Sequence, residues 1–358
     1  MKNHFKKQFD DLIRYQTSLG RNLEKGLRLD RNEKVSNFSD DIISDIFTSF
    51  KPYSLSASPE PDKLYTKIAK SVRISENKIF ITNGITEGIR ILYETLTNPG
   101  QNVVVLDPTY PFYSIYAEMY QVEYRKFGFA KDLKPDWDSF DRNMDENTTM
   151  VMIPNPNLPI ESVMTIDQLR EIAQKCEKNK TVLVIDEAYH FFGGPSAIQL
   201  IDEFENVVVM RTFSKAYGLA GIRLGFMMSS VDNIEYLSKT RSLVESNTLT
   251  MSIAEYMLDH PEIMEAHVKE VKEGSQFLQD ALSEMGLNWY GGNYTNGILI
   301  FLNQKAETED VIGFLKKRNI YIRGAFFPPF DKCIRVSIGS RSIMEVFIAA
   351  FKEWFSKR

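Results

Sequence analysis

The sequence predicts an α/β fold, with a mainly parallel sheet between two layers of helices and a smaller α+β domain after it. Two observations carry this prediction. Short apolar runs alternate with helical patterns over the first two thirds of the chain, and several runs are apolar throughout, as expected for strands covered on both faces. Strands that alternate with helices form parallel sheets, because each helix provides the crossover back to the same edge.

The predicted elements of the large sheet can be assigned in chain order. The runs that resemble buried strands are Lys78–Thr82, Asn102–Leu106, Thr149–Ile153, Thr181–Ile185, Asn206–Met210 and Ile222–Met228. The segments between them that show the 3.6-residue spacing of a helix are Ile85–Leu96, Tyr113–Met119, Ile166–Lys178 and Ile198–Glu205.

After about residue 230 the pattern changes to longer helices and fewer strands. The predicted helices are Asp232–His260, Pro261–Met285, Thr308–Arg318 and Ile343–Phe355, and the predicted strands are Gly297–Leu302 and Cys333–Ile338. We expect three parts: an N-terminal arm over 1–44 that packs on the small domain, a large domain over 45–245 and a small domain over 246–358. Apolar residues at helical spacing predict a short amphipathic helix within the arm; they are Phe5, Phe9, Leu12 and Ile13.

Composition excludes several classes of protein. The 358 residues carry 43 Lys and Arg against 48 Asp and Glu, a net charge of −5, which argues against bulk nucleic-acid binding. Cys176 and Cys333 are too few for a disulfide framework, so a reducing, cytoplasmic compartment is expected. No run of 18 apolar residues predicts a membrane span, and the four histidines have no metal-ligand spacing, so no metal site is expected.

One run of small, hydroxyl and basic residues, Thr212–Gly225, follows a predicted strand. Lys215 lies in the loop after that strand, where desolvation can turn a lysine into a nucleophilic amine. Thr212, Ser214 and Arg223 add two hydroxyls and a planar cation, a set that suits a phosphate dianion. A solvated lysine and a structural arginine would explain either residue alone but not the whole run.

A carboxylate and a glycine turn are expected at the same edge of the sheet. Asp186 ends an apolar strand, where it could pair with a protonated pyridine nitrogen or simply cap a helix. Gly84 stands between a strand and a helix, so the helix N-terminus, with Ile85 and Thr86, offers free N–H groups and a hydroxyl to an anion.

Two further residues keep two interpretations each. Tyr110 follows a predicted strand and could stack on a planar ring or serve packing alone. Arg335 lies inside an apolar strand and needs a bidentate anionic partner, which could be a structural carboxylate or a substrate anion.

The order of these motifs resembles the fold-type-I, class I/II pyridoxal-phosphate aminotransferases, and most closely the histidinol-phosphate aminotransferase subgroup. The resemblance runs over nearly the whole chain, from Leu29-Asp-Arg-Asn-Glu33 to Ile334–Gly339. The segments that carry it are Asn83-Gly84, Asp107-Pro-Thr-Tyr110, Asn155-Pro-Asn157, Asp186-Glu-Ala-Tyr189, Ser214-Lys215 with Arg223, and Arg335. It implies a seven-stranded, mainly parallel sheet, pyridoxal 5′-phosphate (PLP) as the cofactor, a small-molecule amino donor and keto acceptor, and a homodimer.

The resemblance also implies a role for each matching residue. Lys215 would join the cofactor and move protons at the substrate Cα, and Asp186 would keep the pyridine nitrogen protonated. Tyr189 would donate to the ring O3′, and Tyr110 would stack on the ring. The residues implied around the phosphate are Gly84, Ile85, Thr86, Thr212, Ser214 and Arg223. Arg335 would bind a substrate carboxylate or phosphate, with Arg323 and Tyr15 as weaker matches for substrate binding.

The sequence departs from the family pattern at three places. The asparagine that donates to O3′ in Asn-Pro-Asn-Asn-Pro-Thr-Gly aligns with Leu158, so either Tyr189 serves O3′ alone or a repositioned Asn157 helps. We therefore expect a raised pKa for the lysine–cofactor linkage, because O3′ loses a donor. Ser58 replaces the tyrosine that reaches a partner's phosphate, and Ile160-Glu161 replaces Thr-Gly, which indicates a specialised substrate.

Three functions are compatible with these residues. An aminotransferase is preferred, with an anionic or phosphorylated substrate among the possibilities. The alternatives are a PLP-dependent decarboxylase of an amino acid or amino acid phosphate, and a non-catalytic PLP-binding protein. Only about 30 residues precede Leu29, too few for the added DNA-binding domain of a regulator of that kind.

Overall fold

The structure is a computed structural model that describes residues 6–10, 12–13, 15, 20–48, 50–324, 326 and 330–357. Its strands are β1 (Leu27–Leu29), β2 (Ile79–Thr82), β3 (Asn102–Leu106), β4 (Glu123–Phe127), β5 (Thr148–Pro154), β6 (Val182–Asp186), β7 (Val207–Thr212), β8 (Gly225–Met228), β9 (Trp289–Gly291), β10 (Gly297–Phe301), β11 (Ile320–Ile322) and β12 (Cys333–Ser337). Its helices are α1 (Asp40–Thr48), α2 (Asp62–Val72), α3 (Gly84–Leu96), α4 (Phe112–Met119), α5 (Trp137–Asn143), α6 (Ile166–Lys178), α7 (Leu200–Glu203), α8 (Val231–Ser238), α9 (Thr248–Asp259), α10 (Pro261–Glu284), α11 (Lys305–Lys316) and α12 (Arg341–Phe355).

A seven-stranded sheet in the order β2-β8-β7-β6-β5-β3-β4 forms the larger body. All its neighbouring pairs from β7 to β4 are parallel, and only β8 runs antiparallel to both of its neighbours. Strand β8 reverses because it returns directly from β7 through residues 213–224, with only a 3-10 turn between them and no crossover helix. The predicted α/β class with a mainly parallel sheet is confirmed.

The carboxyl ends of the central strands meet at one edge of this sheet. Asp186 at the end of β6 lies in register with Pro154 of β5 and Met210 of β7. The strands β3, β5, β6 and β7 are apolar and almost entirely buried between two helical layers, as the sequence predicts for such strands. The register therefore fixes Asp186 beside the loop that follows β7.

Strand β4 is an element that the sequence analysis missed. Its residues, EYRKF, are mostly polar, and only Phe127 is buried. Strand β4 is an edge strand paired only with β3, so one side of it meets solvent and the apolar signal of a buried strand is absent.

The second body is built on an antiparallel sheet in the order β12-β10-β9, which α10 and α12 cover. Beside it, β1 pairs in parallel with β11, so Leu27 near the N-terminus lies opposite Ile320. The N-terminal segment therefore reaches the C-terminal part of the chain. The predicted amphipathic helix of the arm is not formed in the described residues, where only a 3-10 turn at Lys7–Phe9 is present; Phe5 lies outside them.

The long helix predicted over Asp232–His260 is wrong, because the structure has two helices, α8 and α9, separated by residues 239–247. Asn247 starts the second helix, since its side chain accepts a 2.9 Å hydrogen bond from the Thr250 amide. Helix α9 packs against α2 and contributes Met251, Ala254 and Met257 to the core of the large sheet. In the described part of the chain, no helix is long and apolar enough to cross a membrane.

Candidate active site

Lys215 lies in the loop after β7, where the larger body meets the N-terminal segment. Its Nζ donates to the carbonyl of Asn32 at 3.1 Å and to that of Arg31 at 3.3 Å. The same nitrogen lies 5.4 Å from the centre of the Tyr189 ring. The amine is therefore held by neutral acceptors beside an aromatic ring, with no carboxylate within ion-pair distance among the described residues.

Asp186 is a buried carboxyl at the end of β6, and two donors hold it. Tyr113 Oη donates to Oδ2 at 2.7 Å, and the Ala188 amide donates to Oδ1 at 2.9 Å. Burial raises the pKa of Asp186 to about 6, because desolvation of the charge outweighs the two hydrogen bonds that favour it. Such a carboxyl is prepared to pair with a buried cation.

A small cup lies where β2 turns into α3. Gly84 has a φ of +73°, and a Cβ atom added there would lie 2.7 Å from Nη2 of Arg223. Arg223 Nη2 reaches Thr86 Oγ1 at 3.5 Å. Since α3 begins at Gly84, its first amides have no partner within the helix and point into the cup, so the site offers N–H groups and a guanidinium to one anion.

Two hydroxyls lie at the end of β7, at Thr212 and Ser214, and they have different hydrogen bonds. Thr212 Oγ1 donates to the Leu224 carbonyl at 3.1 Å and accepts from the Ser214 amide at 3.0 Å. Ser214 Oγ is buried and has no hydrogen-bond partner among the described residues. The hydroxyl available to an anion is therefore that of Ser214, whereas Thr212, which the sequence analysis placed at the phosphate, holds the loop.

A row of aromatic rings borders the cup. Tyr110 Oη lies 3.0 Å from Thr86 Oγ1, and its ring stacks on Phe112 with a centroid distance of 5.4 Å. Tyr15 of the arm meets Phe112 edge-on, also at 5.4 Å. These contacts bring the predicted residues Tyr110 and Tyr15 to one wall of the site.

Arg335 lies on β12 and is a half-buried cation of the second body. Its Nη2 donates to the Asp30 carbonyl at 2.9 Å, while its Nε has no partner in the described part of the chain. Arg323 faces it across a bridge of two backbone hydrogen bonds. Burial lowers the pKa of Arg335, and the charge of Arg323 adds to this effect. Two cations with an unfilled donor attract an anion.

Glu161 joins the two bodies across the mouth of the site. Its buried carboxylate accepts from the amides of Gly292, Asn293 and Tyr294 at 3.0–3.1 Å and from Thr295 Oγ1 at 2.8 Å. Successive backbone amides of a turn form a cavity for an anion. The loop after β5, where Ile160-Glu161 replaces the family's Thr-Gly, is thus held to the turn between β9 and β10.

Comparison with known proteins assigns this arrangement to a family. Residues 35–351 match the family described as aminotransferase class I and II. The chain belongs to this family. Histidinol-phosphate aminotransferase of Bacteroides fragilis (strain YCH46) is 31% identical over 311 residues, which cover 85% of this chain and 88% of that relative.

Solved structures of an aminotransferase and of a decarboxylase share the fold. The crystal structure of histidinol-phosphate aminotransferase from Sinorhizobium meliloti in complex with pyridoxal-5'-phosphate has a TM-score of 0.86 at 22% identity and covers 99% of both chains. L-threonine-O-3-phosphate decarboxylase from Porphyromonas gingivalis has a TM-score of 0.75 at 19% identity, over 92% of this chain and 99% of the other. The predictions of fold type I, of an aminotransferase and of PLP as its cofactor are confirmed at the level of the family.

The geometry of this aminotransferase fits PLP. The cup offers the unpaired Ser214 hydroxyl, the Arg223 guanidinium and the free amides of α3 to the phosphate, and Asp186 offers a buried carboxyl to the ring nitrogen. A side chain at position 84 would occupy space in this cup, which Gly84 leaves open. When bound, PLP supplies an electron-accepting ring that stabilises negative charge at the substrate Cα.

The expectation that Asn157 helps to bind O3′ does not fit this geometry. Both hydrogens of its amide are used, since Nδ2 donates to the carbonyls of Pro108 at 3.1 Å and Ile160 at 3.0 Å. Leu158, at the family's asparagine position, is buried and has no donor. Neither position 157 nor position 158 therefore offers a free amide donor.

Tyr113 and Asn32 are two residues of the site that were not predicted from the sequence. Tyr113 contacts Asp186, which is 73 residues away, and Asn32 Nδ2 donates at 3.0 Å to the hydroxyl of Tyr189, 157 residues away. Tyr113 stood at the start of a predicted helix, and Asn32 stood in the motif Leu29-Asp-Arg-Asn-Glu33. The sequence pattern marked the segments in which these two residues lie, but only the fold shows which residues they contact.

Proposed function

We propose that this aminotransferase transfers the amino group of a small phosphorylated amino compound to a keto acceptor. One observation carries the proposal: Lys215 and Arg335 donate to carbonyls of a single segment, Asp30–Asn32. The reactive amine and the anion-binding cation thus border one space. A substrate held there by its anionic group would present its Cα to Lys215.

The two arginines support a doubly anionic substrate. Arg335 is half-buried and Arg323 is exposed beside it, so the pair can hold a phosphate. The relatives that match the chain are named for histidinol phosphate, which carries such a group. Tyr15 lies on the same side and would contact the substrate through its ring.

We propose that the remaining site residues act on the cofactor. Asp186 would keep the ring nitrogen protonated, Tyr189 would donate to O3′, and Tyr110 would stack on the ring. Lys215 Nζ would hold the cofactor and move the proton at the substrate Cα. The phosphate would be held by Ser214, Arg223, Thr86 and the amides of Gly84 and Ile85, with Thr212 shaping the loop.

A spectroscopic screen tests the reaction. The purified protein with PLP should show a visible absorption band that Lys215→Ala abolishes. Amino alcohol phosphates, amino acids and amino sugars are then added in turn. An aminotransferase converts the bound cofactor to its amine form and releases a keto compound, whereas a decarboxylase, as its fold neighbour from Porphyromonas gingivalis is named, releases carbon dioxide and keeps the band. Release of carbon dioxide without a keto product would contradict the proposal.

We further propose a homodimer. Apolar side chains on α1, on the turn Pro52–Leu55 and between α8 and α9 are exposed: Ile43, Phe47, Leu55 and Leu243. Both α1 and that turn pack against α9, so they lie on one side of the molecule. An exposed apolar surface of this kind supports contact with a second copy. Light scattering should give twice the monomer mass, and Phe47→Asp should lower it, with the exposed but separate Val346→Asp as the control.

We propose a reducing, cytoplasmic setting for the protein from its two cysteines. Cys176 and Cys333 are free and buried, and burial raises the pKa of each thiol to about 12, which supports a reducing, cytoplasmic setting.

The expected small domain begins at residue 246, but α9 packs in the core of the large sheet. We propose that the small domain begins after α9, at Pro261, and includes β1 of the arm.

A further inference from the structure

Leu158 leaves the site without an amide donor at this position. The family pattern has an asparagine there that donates to the cofactor's O3′, and this chain has a buried leucine with no donor. Asn157 cannot serve, because both of its amide hydrogens are held by backbone carbonyls. A polar oxygen that loses a donor in a buried site must find another or change its pKa.

Asn32 brings an amide to this place from another part of the chain. A Cβ atom built on Gly297 would lie 3.2 Å from Leu158 Cδ1, 3.4 Å from Asn32 Oδ1 and 3.5 Å from Asn32 Nδ2. The Asn32 amide and the Leu158 side chain therefore flank the same small space over β10. Asn32 is almost completely buried there.

The orientation of the Asn32 amide follows from its neighbours. Its backbone N–H donates to Ser337 Oγ at 2.8 Å, and the Ser337 hydroxyl donates back to Oδ1 at 3.0 Å. The donor nitrogen Nδ2 is thereby left to face Tyr189, whose hydroxyl oxygen accepts from it at 3.0 Å. Because that oxygen accepts from Asn32, its own hydrogen remains free to donate elsewhere.

Asn32 also contacts the reactive lysine. Its carbonyl accepts from Lys215 Nζ and from Asn296 Nδ2, both at 3.1 Å. Its backbone has a φ of +53°, a left-handed conformation that Asn adopts more readily than most residues. One residue thus orients the tyrosine and the lysine of the site.

We propose that Asn32 is a positioning residue that replaces the amide lost at Leu158: it directs the Tyr189 hydroxyl hydrogen toward O3′ of PLP. The proposal rests on the proposed function, since it needs PLP in this site. A hydrogen bond accepted by Tyr189 makes its hydroxyl a stronger donor. Through Tyr189, Asn32 then stabilises negative charge at O3′ and lowers the pKa of the lysine–cofactor linkage.

A double-mutant cycle tests this through the visible absorption of bound PLP, titrated with pH. Asn32→Gly removes the amide but keeps the carbonyl for Lys215 and tolerates the left-handed backbone. The midpoint of the titration should rise by about one pH unit, the effect of one lost hydrogen bond. Leu158→Asn should then lower the midpoint more in the Asn32→Gly background than in the wild type, because only there is the amide missing.

The result that overturns the proposal is a midpoint unchanged by Asn32→Gly, or equal effects of Leu158→Asn in both backgrounds. Asn32→Asp is the second variant, with the same shape and the same tolerance of a left-handed backbone. It replaces the donor by a negative charge, so its midpoint should rise further, and a fall would also refute the proposal. A wild-type protein without a visible band that depends on Lys215 would instead refute the proposed function.

Discussion

Tyr113 Oη donates a 2.7 Å hydrogen bond to Asp186 Oδ2, and both side chains are buried. The phenol lies on α4, the carboxyl at the end of β6, and the bond joins the helical layer to the centre of the sheet. It favours the charged carboxylate, against the desolvation that raises the pKa of Asp186 to about 6. This one contact therefore helps to set the protonation state of Asp186.

Replacing this phenol should weaken cofactor binding in a pH-dependent way. Tyr113→Phe removes the donor, so the pKa of Asp186 in the apoprotein should rise further above 6. As pH falls through that pKa the carboxyl takes up a proton and PLP affinity is lost, so the loss should begin at higher pH in the variant. At pH 7 we expect about three- to tenfold weaker binding, by equilibrium titration of PLP fluorescence. Equal pH profiles for variant and wild type would contradict this.

The same carboxyl should make the apoprotein less stable as pH rises. The pKa of Asp186 is about 6 in the fold against an ordinary value of 3.8, so the folded state binds more protons between these values. The protonated carboxyl of Asp186 therefore adds up to ~3 kcal/mol to the free energy of unfolding below pH 4. This contribution is lost as pH rises through 6. Buried His267 has the opposite effect on the free energy of unfolding. Burial lowers its pKa to about 4, so its contribution to stability is lost as pH falls. The measurement is urea unfolding of wild type minus Asp186→Asn at each pH, and a difference independent of pH would refute the prediction.

The cup should tolerate no side chain at Gly84. In Gly84→Ala the new Cβ meets Arg223 Nη2 at 2.7 Å and must displace the guanidinium, so PLP affinity should fall at least about tenfold, the effect of a lost charged hydrogen bond. Gly100→Ala is the matched control: its φ is +88°, but no atom lies within 4 Å of the added Cβ. Both variants carry a strain of roughly 1–2 kcal/mol. Affinities that fall equally in both would show that strain alone is responsible.

Glu161 should contribute strongly to the contact between the two bodies. Glu161→Ala leaves three amides and the Thr295 hydroxyl without their acceptor, and we expect a loss of about 3 kcal/mol in the free energy of unfolding. Thr295→Ala removes one of the four bonds and should cost about 1 kcal/mol. Urea unfolding measures both. Equal losses in the two variants would show that the carboxylate does not act as the common acceptor.

The sequence predicted those parts of the site whose residues lie near each other along the chain. Lys215, Ser214 and Arg223 stand in one loop, and Asp186 ends an apolar strand, so a local pattern was enough. The contacts of Tyr113 and Asn32 were not predicted, because their partners are 73 and 157 residues away and meet them only through the sheet register.

The fold was predictable where burial marks the chain on both faces. The apolar strands β3, β5, β6 and β7 were found for that reason, whereas polar β4 was not. The break between α8 and α9 was missed because helical spacing continues across it, and the cap at Asn247 that starts α9 depends on one side-chain hydrogen bond.

The backbone carbonyls that accept hydrogen bonds from Lys215 and Arg335 lie near the N-terminus, at Asp30–Asn32. The carbonyl of Asp30 meets a guanidinium 305 residues later in the chain, and β1 pairs with β11 close by. A ribosome releases the first of these segments long before it has made the second. The space between Lys215 and Arg335 is therefore completed only when synthesis is nearly finished, and a chain truncated before β12 would carry Lys215 without Arg335.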